Sequence, residues 1–350
     1  MTRNDAILLD WPALVAEAKR RRRQEKLTQK QHAALAGVSI PTIAAFDRGE
    51  PSLTLAKAFD ILRVVGLVQQ TDGNADAQDA FVQAAMARWH KLTETLPPDA
   101  PARFPHGYWR VDYCFDGAMK TVESLDLLPL LTKAQVKHTG WPPFWIPTRP
   151  PIEPKLRGDT LECWLAPTSD EIESTFSDAA HCDFWIATPS GRMFLMRGYQ
   201  EDGQETFPAG RIFDRSLPIW RMGEVFLHSE SLGRLIAENT TKTIVRIRAV
   251  YTGLSGRELR SWAKPTGTGM MEEGIIARSN EAFLEIAMPL EEIVQNLDTY
   301  ITSFLTPLYE RFDVASPNVS YVASELAQMK RGIREGAHYV RGWDDNWRPK

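Results

Sequence analysis

Between Trp11 and Gly66 the apolar positions recur at helical spacing in short stretches, each closed by a turn-forming residue. Val15 and Ala18 give an i, i+3 face behind Asp10, a capping side chain, with Pro12 in the first turn. Leu27 closes one element and Thr28 opens another as N-cap of a helix over Gln29–Ala36. Gly37 supplies a left-handed turn, and Ser39 caps a further helix from Ile40 to Asp47, ended by Gly49. Pro51 and Ser52 start a last helix in which Leu55, Ala58, Phe59 and Leu62 repeat. The pattern predicts a compact all-α head over residues 1–68.

The polar, small stretch from Gln69 to Gln78 has linker composition, which places a linker at 69–79 and a larger body at 80–350. The body opens with a helix expected around Ala80 to Thr95. Tyr108 to Phe115 and Leu161 to Leu165 read as strands, and Asp183 to Tyr199 reads as a hairpin around Thr188-Pro189-Ser190-Gly191. Leu217 to Ile236 reads as a helix, and Ile244 to Tyr251 alternates apolar with basic residues as a half-exposed strand does. Six prolines between Pro142 and Pro154 predict an extended connection. Pro289 opens a helical stripe of Leu290, Ile293, Val294, Leu297, Ile301, Phe304, Leu305 and Leu308, with Pro307 expected to kink or end it. Either a buried core helix or a dimer surface accounts for that stripe. The tail after Gly342 reads as loose. The expected class is α+β, a small all-α head followed by a mixed body with antiparallel strands.

A chain of 350 residues, 43% hydrophobic and 25% charged, holds about two or three domains. It contains no run of about 18 uncharged apolar residues, and Met1 to Asp10 carries acidic residues where a signal peptide has basic ones. A cytoplasmic protein without a membrane partner is expected. Cys114, Cys163 and Cys182 form no Cys-x-x-Cys pair, so packed, reduced thiols are expected rather than disulfides or a structural zinc. The net charge of −4 conceals an asymmetry: residues 1–66 hold eleven Lys and Arg against seven Asp and Glu, while the remainder is acidic. A basic head on an acidic body favours nucleic-acid binding by the head alone, because phosphate affinity comes from clustered cations.

The segment from Leu27 to Glu50, LTQKQHAALAGVSIPTIAAFDRGE, resembles the helix-turn-helix of the Cro and phage-repressor (XRE) family. Ala33 is small enough for two helices to cross closely, Gly37 makes the turn, and Val38, Ile43 and Phe46 fill the wedge. The resemblance implies that the helix after Ser39 lies in the major groove of double-stranded DNA, while Gln29 and helix N-terminal amides hold phosphates. The residues assigned to DNA on this basis are Arg20, Arg22, Arg23, Thr28, Gln29, Lys30, Ser39, Ile40, Pro41, Thr42, Ala45 and Arg48. Of the run Arg20 to Arg23, two arginines are expected to reach phosphate, since four in a row cannot share one helix face. Where relatives place Arg, Gln, Ser or Asn against the bases, this chain has Ile40, Pro41, Thr42, Ala44 and Ala45. No side chain there reads guanine or adenine bidentately, so discrimination is expected from Thr42, from thymine methyls against Ile40 or Ala45, and from DNA shape. His32, where an apolar residue is usual, reads as a half-buried packing residue.

The body shows no catalytic signature. Gly253-Leu254-Ser255-Gly256 has its second glycine one place too early for a nucleophile elbow, and Gly267-Thr268-Gly269 lacks the rest of a dinucleotide loop. His181-Cys182-Asp183 alternates across a strand and cannot close a metal site alone. Asp112, Asp116, Glu162 and Asp183 have no spacing that singles out a nuclease cluster. Neither catalytic residues nor a cofactor or metal are expected. Ten of the eleven tryptophans follow Ala80. Trp141, Phe144 and Trp145 lie in the proline-rich stretch, and Trp185, Trp220 and Trp262 accompany Arg197, Arg211, Arg221 and Arg260. Such pairs stack a nucleobase or an aromatic anion, or serve as core.

Lys137 to Phe144, Asp183-Phe184-Trp185, Arg197-Gly198-Tyr199, Leu217 to Arg221 and Tyr251 to Arg257 are similar to a region that accompanies AlbA-type, Schlafen-like domains in bacterial DNA-binding proteins. That resemblance implies a bacterial origin and a sensor or assembly domain. Together the readings describe a transcriptional repressor that binds DNA as a homodimer, its body pairing copies and sensing a small-molecule or nucleotide effector. The alternative is an effector or enzyme of a defence or toxin system recruited to DNA by the head.

Overall fold

The computed structural model describes residues 10–50, 53–67, 73–150, 152–165, 179–203, 207–261, 274–314 and 317–331. The chain divides into two compact units, Met1–Asp76 and Ala77–Lys350. The protein is α+β: a helical head, then a body built on an antiparallel sheet.

The head contains α1 (Trp11–Gln24), α2 (Gln29–Leu35), α3 (Ile40–Asp47) and α4 (Leu55–Val64). Their ends are set by side chains. The Asp10 carboxylate accepts from the Ala13 amide at 3.1 Å, and Thr28 forms a reciprocal capping box with Gln31. Gly37, at φ +63°, lets the chain reverse between α2 and α3. Val15, Ala18, Ala33, Ile43, Phe46, Ile61 and Leu62 form the head's core. The start expected at Pro51 and Ser52 lies outside the described residues.

In the body, α5 (Gly73–Thr93) begins seven residues before the expected Ala80, so residues 73–79, read as linker, are helical; 68–72 lie outside the described residues. The sheet comprises β1 (Tyr108–Asp116), β2 (Lys155–Arg157), β3 (Thr160–Trp164), β4 (Phe184–Ala187), β5 (Met193–Gly198), β7 (Ile244–Tyr251) and β9 (Ala282–Pro289), in the order β2-β3-β4-β5-β1-β7-β9. Every pairing within it is antiparallel. A short parallel pair joins β6 (Ile212–Asp214) to β8 (Glu258–Arg260). The helices α6 (Leu127–Ala134), α7 (Leu217–Ile236), α8 (Leu297–Tyr309) and α9 (Val319–Arg331) complete it.

Side-chain alternation along β1 explains the layers. Tyr113 faces α7, where its hydroxyl meets His228 Nδ1 at 2.8 Å, while Asp112 points to the opposite face and accepts from Gln78 of α5 at 3.0 Å. Helices thus cover both faces, and β1 is buried along most of its length. Several buried carboxylates in this core are paired with arginine: Asp183 with Arg197, Asp202 with Arg257, and Glu162 with Arg88 of α5.

The hairpin expected at 183–199 is β4 and β5, and α7 and β7 carry the expected bounds. The stripe from Leu290 to Leu308 is core. Leu290, Ile293, Ile301, Leu305 and Leu308 are fully buried, which excludes it as a dimer surface, and only Val294 of that stripe is exposed. Its first turn is a short 3-10 segment, Leu290–Glu292, and Pro307 sits inside α8 without ending it. The tail after Gly342 lies outside the described residues.

Candidate nucleic-acid interface

Helix α3 has eight residues, too few to hold its shape without tertiary support. Ile43 and Phe46 are fully buried and fix its inner side, with Trp11 packing edge-on against Phe46 at 5.4 Å. Its outer side begins with Ser39, whose hydroxyl accepts from the Thr42 amide at 3.3 Å. Ile40 is 51% exposed, and Pro41 beside it is exposed as well. Thr42, Ala44 and Ala45 are half-buried. The Thr42 hydroxyl lies 2.8 Å from Ser39 Oγ, so the hydroxyl expected from sequence to read a base is engaged by the helix cap.

At the other end of α3, Asp47 gathers three side chains. Arg22 Nη1 and Nη2 donate to its two carboxylate oxygens at 3.0 and 2.7 Å, and Gln29 Nε2 donates to Oδ2 at 2.8 Å. Lys19 Nζ donates to the Asp47 carbonyl at 3.3 Å. A carboxylate at a helix C-terminus opposes the helix dipole, and these donors from α1 and α2 offset that penalty. Arg22 and Gln29, assigned to phosphates from sequence, are therefore committed to holding α3, with the Arg22 side chain only 12% exposed.

The remaining cations differ in their freedom. Arg20 is exposed and paired with Glu17; Arg21 donates to Glu17 and to the Val65 and Gly66 carbonyls. Arg23 is exposed and donates from Nε to the Lys19 carbonyl. Arg48, just past α3, pairs with Glu50 at 2.7 Å while its side chain stays 62% exposed. Lys26 and Lys30 are exposed with no ion-pair partner among the described residues. Thr28 lies at the exposed N-terminus of α2, beside Gln29 and Lys30. The exposed residues of this region include Ile40 and Pro41 at the start of α3, Arg48 just past its end, and Lys30 on α2.

His32 is fully buried rather than half-buried. Its Nε2 lies 2.9 Å from the Ile61 carbonyl of α4, so Nε2 carries the proton, and Nδ1 has no partner among the described residues. Burial pushes its pKa below the ordinary value.

In the body, the carboxylates weighed as a metal cluster are dispersed among arginines. Asp112 pairs with Arg248, Asp116 with Arg246, Glu162 with Arg88 and Asp183 with Arg197. Among the described residues no three His, Cys, Asp or Glu side chains come together as a metal site. The three cysteines are buried free thiols. Gly267 to Gly269 and Trp262 lie outside the described residues.

A helix-turn-helix family model matches residues 19–68, covering α2, the turn and α3. The match supports a DNA-binding role in transcription regulation for the head. Neither a curated protein nor a solved structure matches the chain. Among the described residues, no helix is long and apolar enough to cross a membrane.

The lowered pKa of His32 fixes a pH dependence. An unfolded chain protonates this imidazole near pH 6.5, the folded head only at lower pH, so its contribution to stability is complete above about pH 6.5 and declines as the pH falls below it. Native-state hydrogen exchange on the full chain is expected to show α2 and α4 amides losing protection between pH 6.5 and 5. His32→Leu is expected to flatten that trend; an unaltered trend in this variant contradicts the assignment.

Proposed function

We propose that the protein is a transcriptional repressor that seats α3 in the major groove of double-stranded DNA and acts as a homodimer in a bacterial cytoplasm. The observation that carries the DNA reading is the orientation of α3. Its buried side is locked by Ile43, Phe46 and the Asp47 cluster, which leaves Ser39, Ile40 and Pro41 outward, and Lys30 of α2 and Arg48 after α3 are exposed cations of the same head. The repressor sign follows from the resemblance to Cro and phage repressors, and the bacterial setting from the resemblance of the body to regions that accompany AlbA-type, Schlafen-like domains.

One such head buries too little surface for tight specific binding, and pairing two on half-sites is the usual remedy. With the 290–308 stripe buried, support for self-association comes from β9, the outermost strand of the large sheet. Phe283 on that strand is 62% exposed, and an edge strand presents unpaired backbone groups to a second chain. The body's role is read as pairing and effector sensing rather than catalysis, because each carboxylate weighed for chemistry is committed to an arginine.

The DNA reading is tested by selecting a duplex from a randomised pool and titrating it across a salt series. Lys30→Ala is expected to flatten the log–log salt slope by about 0.9 for each phosphate the lysine neutralises and to weaken all sequences alike. Ile40→Ala is expected to change sequence preference with the slope intact. Unchanged affinity and slope in both variants overturn the groove assignment. Pairing is tested by analytical ultracentrifugation: Phe283→Glu is expected to convert dimer to monomer, and a dimer that survives this change removes β9 as the pairing edge.

A further inference from the structure

A helix-turn-helix turns the first residues of its second helix toward base edges, while the preceding helix crosses the phosphate backbone. Here those residues are Ser39, Ile40, Pro41 and Thr42, and their polar groups are engaged within the head. Ser39 Oγ accepts from the Thr42 amide at 3.3 Å and lies 2.8 Å from Thr42 Oγ1. One hydroxyl donates to the other, so a single O–H is left between them. A lone O–H donates as well to guanine as to adenine N7 or thymine O4, and so separates no base from another. Pro41 has no amide N–H to offer.

The neighbouring side chains suited to a two-point contact are engaged as well. Gln29 Nε2 donates to Asp47 Oδ2 at 2.8 Å, and Gln31 Oε1 accepts from the Thr28 amide at 2.9 Å and the Thr28 hydroxyl at 2.8 Å. An amide reads adenine through its N–H and its carbonyl together, and each of these amides has one of the two groups committed within the head. Arg48 follows the opposite end of α3 and pairs with Glu50 at 2.7 Å.

What α3 presents to solvent at its start is hydrocarbon. Ile40 is 51% exposed and Pro41 is exposed, whereas Ala44 and Ala45 are half-buried. Of the base readers expected from the sequence, Ile40 is the one left with both reach and exposure. The apolar mark on a base edge in the major groove is the C5-methyl group of thymine. Cytosine methylated at C5 carries the same group in the same place, and differs from thymine there in hydrogen-bonding groups that this surface leaves unread.

We propose that Ile40 reads a C5-methyl group in the major groove as a methyl group, without a hydrogen bond to the base that carries it. The head therefore takes 5-methylcytosine in place of thymine and discriminates against deoxyuridine and unmodified cytosine, which makes its occupancy responsive to cytosine methylation of the site. This rests on the DNA-binding reading above and adds what α3 recognises.

The test uses the full chain and the duplex selected from the randomised pool. Each thymine of that site is replaced in turn by deoxyuridine, and each T·A pair by a 5-methylcytosine·G or a cytosine·G pair. At one or more thymines deoxyuridine is expected to weaken binding about fourfold, the worth of one buried methyl, with cytosine at least as weak. At the same positions 5-methylcytosine is expected to bind within about twofold of thymine. Ile40→Ala is expected to erase the difference between thymine and deoxyuridine while leaving the salt slope and the circular dichroism intact, because this exposed side chain neutralises no phosphate. A selected site without thymine, equal binding of thymine and deoxyuridine, or 5-methylcytosine as weak as cytosine overturns the methyl reading. So does a difference between thymine and deoxyuridine that persists in Ile40→Ala, because DNA shape then carries the preference. A chain that binds no duplex at all overturns the DNA-binding reading itself, and the methyl reading with it.

Discussion

The head depends on the carboxylate of Asp47. A two-turn helix has no independent stability, and α3 keeps its orientation because one side is buried and its C-terminus is tied to α1 through Arg22 and to α2 through Gln29. The Arg22–Asp47 pair is bidentate and largely shielded, with side-chain exposures of 12% and 13%, which distinguishes it from the exposed pairs Arg20–Glu17 and Arg48–Glu50. Exposed pairs contribute little, about 0–1 kcal/mol, whereas shielded bidentate pairs constrain geometry. Two residues that look like phosphate ligands thereby become the frame that presents Ile40 and Pro41.

The body applies the same logic with longer reach. Arg197 donates to Asp183 and to the carbonyls of Trp141 and Pro142, so the proline-rich segment is held to the sheet by a guanidinium rather than by regular backbone pairing. Arg221 and Glu224 of α7 take up the preceding turn of that segment: Glu224 accepts from the amides of His138 and Thr139 and from the Thr139 hydroxyl. These contacts place Trp141 in the wall of a small recess that Trp109 and Tyr199 also line. Of the tryptophans and arginines that stand out in the sequence, Trp185 is core, Trp141, Arg197 and Arg221 line the recess, and Arg211 and Arg260 are exposed.

Much of the head was legible because its signals are local. A capping residue, a glycine at positive φ and an apolar pair three residues apart each act within one turn, and Asp10, Thr28, Gly37, Ser39 and Gly49 sit where those signals place them. The strands β1, β4, β5 and β7 were legible for the same reason, through alternation and a hairpin turn. Strand β9 was missed because its outward side chains, Phe283, Glu285 and Ala287, do not alternate cleanly in polarity with the buried Ala282, Leu284 and Met288. Helix α9 and the pair of β6 with β8 carried no pattern that was read. The Asp47 cluster left no local trace, since its partners Lys19, Arg22 and Gln29 lie 28, 25 and 18 residues away.

The central claim is that the Arg22–Asp47 pair, rather than packing alone, orients α3. A double-mutant cycle with Arg22→Gln, Asp47→Asn and the combined variant tests it directly, with native-state hydrogen exchange of α3 amides in the full chain as the readout. A coupling free energy of about 1–3 kcal/mol is the result the claim requires. Single-variant effects that add to within about 0.5 kcal/mol would contradict it.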